Sequence, residues 1–118
     1  MAERQPTLVM ISEDPRVSHR ANVAMRIALG VVAGENEVHI VLTGNAVHLL
    51  DDDTDDLVDG DDIAKYRASL RKLGIPFHIE GSALPVDPEW NADGHPVVPI
   101  TTDGIAALVS RASRFIVF

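Results

Sequence analysis

Cysteine is absent from all 118 residues. That excludes disulfides, cysteine-ligated zinc, iron–sulfur clusters and thiol nucleophiles within this chain. Long apolar runs are missing too: none approaches the ~20 residues that a membrane-spanning helix needs. The stretch from Met1 to Pro6 lacks the basic region and apolar run of a secretory signal. A cytoplasmic location and no membrane partner are the expectations. Basic residues are few, 10 Lys+Arg against 18 Asp+Glu, for a formal net charge of −8. Phosphate backbones attract basic surfaces, so no nucleic-acid partner is expected. What is present suffices for a core, since 46% of the residues are hydrophobic. The length suits a single domain covering residues 1–118.

The charge imbalance is local. Residues 51–62 hold eight Asp, which leaves 10 acidic and 10 basic residues elsewhere. Like charges at this density repel one another and favour an exposed loop. Clustered carboxylates are also ligands for hard cations, but the EF-hand pattern fails. Counted from Asp51, Asp56 stands where Gly is required and Asp62 where Glu is required. Counted from Asp55, Gly60 is in place, but Leu57 and Tyr66 occupy ligand positions. We read the stretch as a solvated loop, with Asp61 and Asp62 favouring the N-terminus of the next helix. No metal and no other cofactor is expected.

Hydrophobic periodicity then orders the chain. Residues 7–11 form an uninterrupted apolar run, as in a strand buried on both faces. From Arg16 to about Ala33, apolar residues recur at three- and four-residue steps, which predicts a helix ending at Gly34. Residues 37–43 read as a second strand, 46–50 as a short helix and 61–73 as a helix ended by Gly74. A third strand spans 75–79, with Pro76 at its start, where a missing N–H is tolerated. Residues 81–96 are a long irregular stretch, of the kind that is often functional or mobile. Within it, Trp90 either meets a partner or anchors the loop. A fourth strand at 97–100 carries Pro99, which suggests a sheet edge or a ragged strand end. Thr101, Thr102 and Asp103 can cap a helix, and 114–118 closes the chain as a strand. This alternation predicts an α/β fold: a three-layer sandwich around a mostly parallel five-stranded sheet.

Ligands of open α/β sheets bind beyond the carboxyl ends of the strands. The rule selects the turns at 12–14, 43–45, 80–82 and 101–103. The candidate ligand-binding residues are Ser12, His19, Thr43, Asn45, His48, Glu80 and Ser82. An acid/base pair of His48 with Glu80 is conceivable at that edge. His39 and His78 lie inside predicted strands, which suits a hydrogen-bonded core or edge role. No Walker, dinucleotide-binding or nucleophile-elbow motif occurs, and no pair of histidines has metal-ligand spacing. No residue is assigned as catalytic.

Several strings, in order, resemble the DsrE/DsrF-like family of small sulfur-relay proteins. They are Ala24-Met25-Arg26-Ile27-Ala28-Leu29-Gly30, Val38-His39-Ile40-Val41-Leu42-Thr43-Gly44-Asn45-Ala46-Val47, Leu73-Gly74-Ile75-Pro76-Phe77-His78-Ile79 and Ala112-Ser113-Arg114-Phe115-Ile116-Val117-Phe118. The resemblance implies a compact α/β sandwich that forms homo-oligomers, trimers or hexamers, or pairs with related DsrE-like subunits. Active members of the family carry persulfide sulfur on a cysteine just after the third strand. That position falls at Glu80 or Gly81 here, and a carboxylate cannot carry a persulfide. The implied role is a cysteine-less, non-catalytic oligomeric binding or scaffold subunit related to sulfur metabolism. The alternative is a small-ligand or metal-binding protein that uses the strand-end pocket.

Overall fold

The computed structural model describes residues 6–34, 37–51, 53–87, 90–92 and 94–118. Asp52 of the acidic stretch, Pro88 and Glu89 of the long loop, and the amino-terminal residues 1–5 lie outside the described residues.

Five strands form one sheet: β1 (Thr7–Ile11), β2 (Val38–Leu42), β3 (Phe77–Glu80), β4 (Val97–Ile100) and β5 (Arg114–Val117). Their order is β4-β3-β2-β1-β5, and every pairing is parallel. The expected α/β sheet is therefore parallel throughout. The chain steps in one direction from β1 to β4 and then returns across the sheet to β5. Right-handed connections put α1 (Arg20–Ala33) and α2 (Gly60–Lys72) on one face and α3 (Thr102–Arg111) on the other.

Alternation along the strands sorts the side chains accordingly. Val9, Ile11, Ile40, Leu42, Phe77 and Ile79 join Ala21, Ala24, Met25, Ile63 and Leu70 in the main core. On the other face a small cluster of Leu8 and Val41 is sealed by Leu108 of α3. β1 is buried on both sides, as its uninterrupted apolar run predicts.

Local chemistry sets where the elements begin and end. The first helix starts at Arg20, four residues later than its periodicity suggests. The Asp14 carboxylate accepts from the Arg16 backbone N–H at 2.9 Å, and Ser18 Oγ accepts from Arg20 N–H at 3.2 Å. These side chains hold residues 14–18 in turns and outcompete the helix. At the end of α2, Gly74 adopts φ +72° and its N–H reaches the Arg71 carbonyl, while Ile75 N–H reaches Leu70. This Schellman closure ties Ile75 back to the helix, so β3 opens only at Phe77. Thr101 caps α3 by accepting from Gly104 N–H at 3.1 Å. Among the described residues of the acidic stretch, Asp53, Asp55, Asp56, Asp59, Asp61 and Asp62 are exposed and Asp51 is half-buried, and Asp61 and Asp62 stand in the first turn of α2.

The β3–β4 crossover contains no α-helix among its described residues. A 3-10 helix, Gly81–Ala83, and irregular chain replace it, and Ala83, Leu84 and Trp90 pack on the main core. Trp90 is thus the loop's anchor: its indole N–H donates to the Val47 carbonyl at 2.7 Å.

Gly60 is indispensable by contact. A Cβ there would stand 2.0 Å from the Thr54 carbonyl oxygen, which is backbone and cannot rotate away. Gly60→Ala should destabilise the fold by about 1–3 kcal/mol, measurable by urea unfolding.

Two histidines make stability depend on pH. Burial pushes His78 below its ordinary 6.5, helped by neighbouring His39, whose ring lies 5.6 Å away. His78 Nδ1 is buried without a hydrogen-bond partner. Burial also lowers His95, with Arg67 and Arg71 adding to the effect against a hydrogen bond to Ile75 O. Both rings fold neutral, so the unfolded chain binds more protons once pH falls below about 6.5. Stability should be full above that value and decline as pH drops toward the lowered folded values. Melting curves from about pH 8 to 5 should show this decline, and His78→Gln should remove part of it.

Candidate functional site

A 3-10 helix, Gly44–Leu50, follows β2 and builds the most organised polar group at the carboxyl edge of the sheet. Its apolar residues Ala46, Val47, Leu49 and Leu50 enter the main core. With three residues per turn, positions i and i+3 eclipse. His48 therefore faces Asp51, and its Nδ1 lies 3.0 and 3.1 Å from the two carboxylate oxygens. The carboxylate only accepts, so Nδ1 is the ring nitrogen that donates to it.

This pair is mounted rigidly. The buried Arg67 of α2 donates to the Asp51 carbonyl at 2.8 Å and to the Leu49 carbonyl at 3.2 Å. Asp51 also forms an antiparallel bridge with Trp90, and Asn91 N–H donates to Leu50 O. Across the mouth of β1, Asp14 holds the Arg16 guanidinium at 2.8 Å. That hydrogen bond keeps the Asp14 carboxyl below the usual carboxylate range, with a smaller contribution from His48. Arg16 is raised in turn, mostly by Asp14 and slightly by Asp51. Asp14, Arg16, His48 and Asp51 thus share one electrostatic neighbourhood.

The residues predicted from the sequence are dispersed around this group. Ser12 Oγ donates to Phe118 O at 3.1 Å, which closes β1 onto β5. His19 is exposed at the start of α1 and makes no capping bond. Thr43 N–H joins Ile11 O, and Asn45 is exposed on the first turn of the 3-10 helix. Glu80 accepts from Ser82 Oγ at 3.0 Å. It shares the α3-facing side of β3 with His78, whereas the 3-10 helix bearing His48 packs on the opposite core. Of the two carboxylates, it is Asp51 and not Glu80 that His48 meets.

Asp14, Arg16, Asp51 and Arg67 are not among the candidate site residues named from the sequence, although Asp14 falls in the selected turn at 12–14. A signal existed for two of them. Asp51 stands three residues after His48 on a predicted short helix. Arg67 occupies a position of α2 that falls, with Ile63 and Leu70, on its buried stripe. As it stands the cluster can orient an imidazole toward an incoming polar group. Among the described residues no three His, Asp or Glu side chains converge as a metal set, and no helix is long and apolar enough to cross a membrane.

No protein-family model and no curated protein matches the chain. Among solved structures, the YchN protein from E. coli is similar, with a TM-score of 0.69 over 96% of this chain and 99% of that one. YchN has a DsrE-like fold. This chain therefore has a DsrE-like fold. At 17% identity the likeness concerns architecture alone. On this fold Glu80 ends β3 and Gly81 opens the following 3-10 helix, the two positions at which the family resemblance expects its cysteine.

The Asp51 carboxylate should hold neutral His48 in the Nδ1-protonated tautomer, the less common form of a free imidazole. Long-range nitrogen–proton correlation spectra at mildly alkaline pH read this directly. Asp51→Ala should return the ring to its usual Nε2-protonated form.

Proposed function

We propose that this protein is a non-catalytic, oligomeric binding or scaffold subunit, a cysteine-less DsrE-like chain with a role related to sulfur metabolism in the cytoplasm. The observation that carries this reading is the uneven cover of the sheet. α1, α2 and the β3–β4 loop bury one face, but the ten-residue α3 is the only helix against the other among the described residues. Phe115 and Val117 point to that side from the edge strand β5 and remain 44% and 50% exposed. Val109 of α3 is exposed as well. A hydrophobic edge strand left open invites further pairing, and proteins usually cover it. A second copy of this chain is the occupant in this reading, in a trimer or hexamer. The absence of cysteine supports a role other than carrying persulfide.

A second reading has its own support. His48, oriented by Asp51 and with Nε2 directed away from that carboxylate, suits ligand binding at the strand ends, with Ser12, His19, Thr43, Asn45, Glu80 and Ser82 around the same edge.

Sedimentation equilibrium at micromolar concentration should give a multiple of the chain mass. Phe115→Asp combined with Val117→Asp should yield folded monomers. A strict monomer before any substitution sinks the oligomer reading. For the second reading, calorimetric titration with divalent cations and small anions should give heat that His48→Ala removes.

A further inference from the structure

The chain's excess negative charge is gathered in residues 51–62, yet the opposite half of α2 is basic. Ala64, Arg67, Ala68, Arg71 and Lys72 recur at helical spacing along one stripe. With His95, from the loop before β4, they line a cavity of about 370 Å³. This volume falls in the range of small-molecule sites, roughly 300–1,000 Å³. At one end His95 meets Ile75, just before β3, and at the other Arg67 reaches the Asp51 carbonyl beside His48. Among the described residues, no carboxylate lines it.

The wall has two kinds of surface. Ala64 and Ala68 present methyl groups, and small side chains there leave room against the helix. His95 closes one end. Its Nε2–H is committed to Ile75 O at 3.0 Å, and its ring packs on Phe77 with centroids 4.6 Å apart. The imidazole is thereby fixed in position, with its Nδ1 lone pair uncommitted to that bond. Arg67 Nη1 is anchored on two main-chain carbonyls and contributes a fixed positive charge at the back. Arg71 and Lys72 lie at the exposed rim, where long side chains can swing onto a bound group.

We propose that this cavity binds a small organic anion, a carboxylate or phosphate monoester with a compact apolar body. The body lies against Ala64, Ala68 and the His95 ring, and the anionic head meets Arg71 and Lys72 within the field of Arg67. An inorganic ion does not use the apolar wall, and a neutral molecule does not use the cations. The site does not use the β5 face or the His48 ring, although it shares Arg67 with the support of the His48–Asp51 pair.

The test is a nitrogen-15 amide titration of the whole chain with phenyl phosphate, benzoate, inorganic phosphate and benzyl alcohol. Phenyl phosphate or benzoate at millimolar concentration should shift the amides of residues 64–72 and His95. Inorganic phosphate and benzyl alcohol should bind at least about tenfold more weakly, a difference of about 1.4 kcal/mol. Arg71→Gln with Lys72→Gln should cost about tenfold or more in affinity, as loss of charge-assisted contacts predicts. Ala68→Leu keeps every charge and suits a helix, so it should remove binding by filling the cavity while the remaining spectrum stays folded. Saturation should also raise the midpoint of the His95 titration, because the anion offsets Arg67 and Arg71. The proposal is overturned if neither organic anion shifts these amides. It is equally overturned if inorganic phosphate binds as well as phenyl phosphate, or if either set of substitutions leaves affinity unchanged.

Discussion

A single buried guanidinium fastens the two sides of the carboxyl edge together. Arg67 leaves α2 through its apolar stripe and donates to the Leu49 and Asp51 carbonyls at the end of the 3-10 helix. The last carbonyls of any helix have no partners within it. Buried without a donor, each such group costs about 1–3 kcal/mol. Arg67 supplies that donor from a separate element, so α2 and the 3-10 helix must pack in one arrangement. The orientation of His48 and Asp51 follows from that arrangement. So does the back wall of the basic cavity, which the same side chain forms.

The second constraint is the parallel sheet. Parallel neighbours require a crossover over one face, and three of the four connections use an α-helix. The connection from β3 to β4 does not, and the apolar cover it must supply comes from Ala83, Leu84 and Trp90. The Trp90–Val47 hydrogen bond locks that substitute cover onto the 3-10 helix. With three connections crossing one face and one crossing the other, the layers are unequal. The thin layer leaves β5 apolar and open, which is where the oligomeric reading finds its surface.

The strands and helices were legible because their signals are local. Apolar runs marked β1 and β2, helical spacing marked α1 and α2, and Pro99 marked β4 as an edge strand, which the sheet order bears out. The errors were at boundaries, where side chains compete with backbone. Asp14 and Ser18 delayed α1, and the Schellman closure at Gly74 delayed β3. The candidate site was less legible. The topological rule points to the carboxyl edge, where His48 lies, but the conceivable pairing with Glu80 is not formed, because alternation along β3 puts Glu80 on the other face.

Composition and periodicity alone settled the class of fold, the solvated acidic loop and the exclusion of thiol chemistry, since these depend on residue type and short-range spacing. Three-dimensional packing settled which carboxylate meets His48, that Trp90 turns inward, and that α2 places its cations beside His95. Those contacts join residues 43 positions apart for Trp90 and Val47, and 18 apart for Arg67 and Leu49. Separations of that size lie beyond any helical or strand period. They are decided only when the crossovers bring distant segments together and every buried polar group finds its partner.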